Sequence, residues 1–110
     1  VTVVFQPHRF SRTKSLWDGF VQALAKCDQV VLLPIYSAGE DEIPSVTSVN
    51  LAADIAEKSG INALVATEAS LLNVLSANIS EGDIVLGVGA GSISKICRDI
   101  FTPHKITTVI

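Results

Sequence analysis

The sequence predicts a three-layer α/β fold in which a doubly wound, mostly parallel sheet carries helices on both faces. Strand-like and helix-like segments alternate in the order β-α-β-α-β-α-β-α, and residues 105–110 form a further short strand. The predicted strands are near-continuous apolar runs, which is typical of strands buried on both faces. The chain has 110 residues, 48% of them hydrophobic, and so fits one domain, 1–110, with a full core.

The opening of the chain predicts a strand, a polar loop and a helix. Residues 1–5, VTVVF, have the β-branched and aromatic composition of a strand. The loop that follows offers Ser11 and Thr13 as candidates for the helix N-cap. Beyond it, apolar residues recur at helical spacing and predict one amphipathic helix of about three turns; they are Leu16, Trp17, Phe20, Val21 and Leu24.

The same periodicities and end signals predict the remaining elements. Residues 29–35 form a buried strand that Pro34 ends, and Thr47 or Ser48 caps a helix that Gly60 terminates. In order, there follow a strand at 62–66, a helix at 68–79 capped by Thr67, a strand at 83–88, a glycine turn at 89–92 and a helix at 92–101.

Composition excludes several classes of function. The charged fraction is 17% and the net charge is -3, so no overall basic field attracts nucleic acid. The longest apolar runs are far shorter than the ~20 residues of a membrane span, and no signal peptide opens the chain. We interpret Cys27 and Cys97 as small apolar residues in a reducing compartment, without a disulfide or a metal. We expect a soluble, cytoplasmic protein.

The stretch FQPHRFSRTK places His8, Arg9 and Arg12 at the carboxyl end of the first strand. Ligands of doubly wound sheets bind at that edge. Two guanidinium groups and an imidazole there could converge on one carboxylate or phosphate. The alternative is a solvated basic loop. Cations at a helix N-terminus oppose the helix dipole at a cost of up to ~1 kcal/mol, which favours the functional interpretation.

A second candidate segment, IYSAGEDEIP at residues 35–44, follows the next strand. It holds the only tyrosine, Tyr36, and three consecutive acids at 40–42. If the two strands are neighbours, the acids face the basic loop and could receive an ammonium group. An ordinary exposed acidic turn is the alternative, and the sequence leaves both open.

The glycine turn GVGAG at residues 87–91 does not match a dinucleotide-binding fingerprint. Ser92 stands where the third glycine is required, and no acidic residue ends a strand about 20 residues later. The chain also contains no P-loop. We interpret the segment as a tight strand-to-helix turn and assign it no cofactor. No residue pattern predicts a catalytic nucleophile or an acid/base pair.

Three segments resemble the C-terminal domain of the Mur ligase family of bacterial cell-wall synthesis. They are VVFQPHRFSRTKSLWDGFVQAL, LLPIYSAGEDEIPSVTS and GDIVLGVGAGSIS, and the resemblance runs from residue 3 to residue 101. The Q-P-H-R-[FY]-[ST]-R-T segment is the specific part. The resemblance implies a Rossmann-like domain that lacks its first βα unit, cut from a chain whose upstream domains bind the UDP-sugar and ATP.

The resemblance also implies an activity and a set of site residues. The enzyme would phosphorylate the carboxylate of UDP-N-acetylmuramate with ATP and Mg²⁺, and the amine of L-alanine would attack the acyl phosphate. His8, Arg9 and Arg12 match the positions that bind the incoming amino acid, and Tyr36 lines the same pocket. The P-H-R-x-x-R loop indicates L-alanine rather than another amino acid. The fragment alone is expected to be inactive. A free-standing anion-binding or regulatory module is the alternative.

Overall fold

Parallel strands form the centre of the domain. The computed structural model describes residues 2–79 and 84–89 with their side chains, and the backbone of residues 105–109. Within these residues lie five strands: β1 (Thr2–Gln6), β2 (Gln29–Leu32), β3 (Asn62–Val65), β4 (Ile84–Gly89) and β5 (Lys105–Val109). The helices described are α1 (Phe10–Ser15), α2 (Trp17–Leu24), α3 (Ser48–Ser59) and α4 (Leu71–Asn78).

The strand order defines where a ligand site can lie. All neighbouring strands are parallel, in the order β3-β2-β1-β4-β5. The chain builds outward from β1 through β2 to β3, and then crosses to the other side of β1 to form β4 and β5. This reversal makes the carboxyl ends of β1 and β4 a topological switch point, where such sheets form a crevice. The order confirms the predicted doubly wound α/β fold and the final strand.

Helices cover both faces of the sheet, which explains the unbroken apolar runs. Along β1, Val3 and Phe5 face one layer of helices, whereas Val4 faces the other. The first layer is α2 with α3, through buried residues such as Leu51. The second layer is α4, through residues such as Leu75. Because successive strand residues point to opposite faces, both sets must be apolar.

The ends of α3 confirm the predicted capping residues. The side chain of Thr47 accepts a hydrogen bond from the backbone N–H of Asn50 at 3.1 Å. Gly60 follows the helix with φ 74° and ψ 3°, the left-handed conformation that glycine adopts without steric cost. α4 differs from the prediction, because it begins at Leu71 with Ser70 as N-cap. Thr67 instead closes the preceding turn with Ser70 through hydrogen bonds of 2.9 and 3.1 Å.

The predicted single helix after β1 is wrong in two respects. It is divided at Leu16, which has φ -105° and ψ 11° and is 44% exposed. Leu16 precedes Trp17 by one residue, about 100° around a helix, so it lies off the face that packs on the sheet. The N-cap of α1 is Arg9, which makes no side-chain capping bond, and neither Ser11 nor Thr13 caps the helix.

Some predictions fall on residues that the structure does not describe. The helix at 92–101, Cys97 and the glycine turn beyond Gly89 lie outside the described residues. Cys27 is partly buried against the core beneath α2 and α3, and burial, with the adjacent Asp28 carboxylate, raises the pKa of its thiol. Among the helices that the structure describes, none is long and apolar enough to cross a membrane.

Candidate functional site

The loops after β1 and β2 are joined at the carboxyl edge of the sheet. The N–H of Tyr36 donates to the carbonyl of Pro7 at 2.9 Å, and the N–H of Arg9 donates to the carbonyl of Tyr36 at 2.7 Å. The rings of His8 and Tyr36 stack with centroids 5.4 Å apart and an interplanar angle of 22°. The two predicted segments therefore meet because their strands are adjacent and parallel.

Arg9 holds an unusual backbone conformation at the start of α1. Its φ of 68° and ψ of 142° are uncommon for a residue with a side chain. The carbonyl of Arg9 accepts bonds from the N–H and the hydroxyl of Thr13, at 3.1 and 2.7 Å. Thr13 is fully buried, and the N–H of Arg9 is held by Tyr36. Bonds on both sides of Arg9 thus fix a conformation of the kind that costs about 1–3 kcal/mol and clusters at functional sites.

Glu40 closes the N-terminus of α1 from the neighbouring loop. The N–H of Ser11 donates to one carboxylate oxygen at 3.1 Å, and the hydroxyl of Ser11 donates to the other at 2.6 Å. The pKa of Glu40 is held below its usual value of 4.5, mainly by the hydrogen bond from the Ser11 hydroxyl and then by the bond from the Ser11 N–H. The N–H of Phe10 and the positive charge of Arg9 lower it further. Each carboxylate oxygen of Glu40 thus accepts a hydrogen bond from Ser11, so Glu40 contributes a helix cap to the site.

A cavity of about 610 Å³ lies over α1, and it is lined by His8, Arg9, Ser11, Arg12 and Ser15. We call it the basic cavity. Three of the four predicted site residues line it, whereas the fourth, Tyr36, is 54% exposed and supports His8 from outside. Sequence reasoning missed the two serines. Ser15 lies four residues after Ser11 and three after Arg12, a spacing that makes Ser15 a neighbour of both on the helix surface and could have indicated it.

A second cavity of about 430 Å³ lies at the switch point and shares His8 and Arg12 with the basic cavity. We call it the switch-point cavity. Its other lining residues are Phe5, Gln6, Phe20, Val88 and Gly89, none of which was predicted as a site residue. Gly89 has φ 144°, and a Cβ there would lie 2.9 Å from the carbonyl oxygen of Gln6. This position therefore requires glycine, since the end of β4 passes close to the end of β1.

The described residues contain no cluster of three or more His, Cys, Asp or Glu side chains at metal-binding distance. The chemistry of the two cavities therefore comes from cationic, hydroxyl and apolar side chains. Guanidinium groups bind carboxylates and phosphates with paired hydrogen bonds. The fold and the site define a Rossmann-like α/β domain with a cationic cavity beside its switch point, of a size suited to a small anionic ligand.

Curated relatives make the assignment specific, although no family model matches the chain. The chain is 46% identical over 97 residues to UDP-N-acetylmuramate–L-alanine ligase of Legionella pneumophila strain Lens. The aligned region covers 88% of this chain and 20% of the relative. It is 41% identical over 107 residues to the enzyme of the same name from Desulfosudis oleivorans, covering 96% of this chain and 23% of the relative. The chain belongs to the UDP-N-acetylmuramate–L-alanine ligase family, within the Mur ligases, and corresponds to one domain of it. It spans about a fifth of the length of the curated relatives that it matches.

Proposed function

We propose that this chain is the amino-acid-binding domain of an ATP-dependent ligase that joins L-alanine to UDP-N-acetylmuramate in peptidoglycan synthesis. The observation that carries the proposal is the convergence of His8, Arg9 and Arg12 on one cavity at the carboxyl edge of the sheet. The relatives' name supplies the reaction, with alanine and UDP-N-acetylmuramate as substrates. Their similarity over most of the chain favours a ligase domain over a free-standing regulatory module.

The basic cavity is suited to the carboxylate of a free amino acid. Its lining brings two guanidinium groups and one imidazole together with two hydroxyl groups, and it includes no acidic side chain. The carboxylate of Glu40 is bound to Ser11, and Glu40 is not among the lining residues. A carboxylate entering the cavity would therefore meet donors of charge-assisted hydrogen bonds, which are shorter and stronger than neutral ones.

The domain would contribute binding and orientation to the reaction. When bound, ATP with Mg²⁺ supplies the phosphate that activates the muramyl carboxylate as an acyl phosphate. Arg9 and Arg12 would hold the carboxylate of L-alanine so that its amine faces the acyl carbon, which is the proximity component of catalysis. The amine forms the amide bond as phosphate leaves. The described residues contain no group of three or more acidic, His or Cys side chains that could hold Mg²⁺, and the sequence contains no P-loop. We therefore assign ATP and Mg²⁺ mainly to other domains of the ligase, with this chain as the C-terminal one.

The test uses the complete gene product that contains this sequence. We expect phosphate release from ATP that requires both UDP-N-acetylmuramate and L-alanine, and we expect a P-loop upstream of this chain. A reading frame that starts directly before Val1, or turnover that is independent of L-alanine, would overturn the proposal. The 110-residue chain alone should neither hydrolyse ATP nor form the amide, since it contains no P-loop.

A further inference from the structure

We propose that the switch-point cavity receives the side chain of the amino acid, and that Phe20 and Val88 determine which side chains fit. This inference rests on the proposed function and deepens it, since it names the residues that set specificity at the same site. It starts from an observation that the ligase assignment does not use: two cavities meet at His8 and Arg12, and only one of them is predominantly cationic.

The shared residues connect the two cavities in the way that an amino acid requires. The carboxylate carbon and the first side-chain carbon of an α-amino acid are both bonded directly to Cα, so the two groups lie close together. A ligand whose carboxylate is bound by Arg12 in the basic cavity therefore has its side chain close to Arg12, which also lines the switch-point cavity. His8 lines both cavities as well, so the two cavities are adjacent and one small ligand can contact both.

The lining of the switch-point cavity favours apolar side chains over cationic ones. Phe5 is 8% exposed, and its ring lies 5.1 Å from the ring of Phe20 at an angle of 57°. Val88 pairs with Phe5 in the register of β1 and β4. The side chains of Val88 and Phe20 are partly buried. A lysine or arginine side chain placed against these three residues would lose hydration and would meet Arg12 but no acidic partner in the lining, which is costly. An apolar side chain would be accepted.

Two of the lining residues control the size of the cavity. Gln6 and Gly89 pair in the register of β1 and β4, so the position of the wall that they form is fixed by the sheet. Phe20 on α2 and Val88 on β4 project side chains that a substitution can lengthen or shorten. A water molecule occupies roughly 30 Å³ and is close in size to the methyl group of alanine. The cavity volume of about 430 Å³ is many times larger. The cavity therefore leaves room for side chains longer than that of alanine.

The experiment measures selectivity in the complete ligase. The kcat/KM values for L-alanine, L-2-aminobutyrate and L-valine are compared in the unmodified protein, Val88→Phe and Val88→Ala. We expect the kcat/KM of the unmodified protein for L-2-aminobutyrate to lie within about tenfold of its kcat/KM for L-alanine. A tight pocket would discriminate more strongly against the one extra methylene. Val88→Phe should lower the use of L-2-aminobutyrate relative to L-alanine by roughly tenfold or more. Val88→Ala should raise the relative use of L-valine.

Matched controls come from the same strand. Ile84 lies on the same face of β4 as Val88, four residues earlier, at the amino end of the sheet and outside the cavity. Ile84→Phe and Ile84→Ala should leave the selectivity ratio unchanged. The ratio of two substrates measured on one protein is insensitive to a partial loss of folded enzyme, which a general structural effect would produce.

The possible results separate the two proposals. If L-alanine is turned over but neither Val88 variant changes the ratio, the side-chain subsite is refuted and the proposed function stands. If the unmodified protein shows no L-alanine-dependent turnover, the proposed function fails and this inference fails with it. If Val88→Phe does not fold, Val88→Ala and Phe20→Leu still decide the question, since both enlarge the cavity and both should favour L-valine.

Discussion

Replacing Arg12 by alanine tests the candidate site most directly, because its side chain lines both cavities. A guanidinium bound to a carboxylate makes two charge-assisted hydrogen bonds, each contributing about 1.5–3 kcal/mol. Arg12 is exposed to solvent, which weakens these bonds. We therefore take about 2–3 kcal/mol for the two hydrogen bonds together. At about 1.4 kcal/mol for each tenfold change, the KM for L-alanine should rise roughly 30- to 150-fold, with the KM for ATP little changed.

Stability should not change with this substitution. The backbone carbonyl of Arg12 accepts bonds from the N–H of Leu16 at 3.0 Å and the hydroxyl of Ser15 at 3.2 Å, and alanine keeps both. The measurement is initial-rate kinetics of L-alanine addition by the complete ligase, with thermal unfolding as a check. Lys14→Ala is the matched control, since Lys14 is an exposed cation of α1 that lines neither cavity. An alanine KM that is equal in the Arg12 variant and the control would remove Arg12 from the site.

Three further predictions concern stability. The pKa of Glu40 is lowered in the folded state, so its ionised form stabilises the fold above pH 4.5 and this contribution is lost as the pH falls through the lowered pKa. In urea titrations, Glu40→Gln should therefore reduce the stability difference between about pH 7 and about pH 3. Thr47→Ala removes the cap of α3 and should cost about 1 kcal/mol, lowering Tm by about 4–8 °C in calorimetry. Leu75→Ala should cost about 2–5 kcal/mol of unfolding free energy, because the side chain is fully buried; a loss below 1 kcal/mol would contradict the described core.

The position of the candidate site was predictable because it depends on fold topology. Once the strands are recognised as parallel, the loop that carries His8, Arg9 and Arg12 must lie at the edge where such sheets bind ligands. The adjacency of β1 and β2 then places Tyr36 beside this loop.

The details of the site depend on contacts between residues far apart in sequence, which periodicity does not contain. The bonds between Ser11 and Glu40 are one example, because any of the three consecutive acids could have reached the helix. The switch-point cavity is another, since Phe20 and Val88 meet only after α2 and β4 pack on β1. Helix boundaries failed for a local reason: the apolar spacing that indicates a helix continues through Leu16, where the backbone turns.

The central position of β1 has a consequence for how the domain folds. Thr2 pairs with Gln29 on one side and with Val85 on the other, so among the strands that the structure describes β1 enters no hairpin or other short-range pairing. Domains dominated by such distant pairings fold slowly for their size, because a long stretch of chain must be ordered before the contacts form. Both cavities border the end of β1, and the switch-point cavity needs β4 as well. We therefore expect ligand-binding competence to be among the last properties that a refolding chain regains, after most of its helix content.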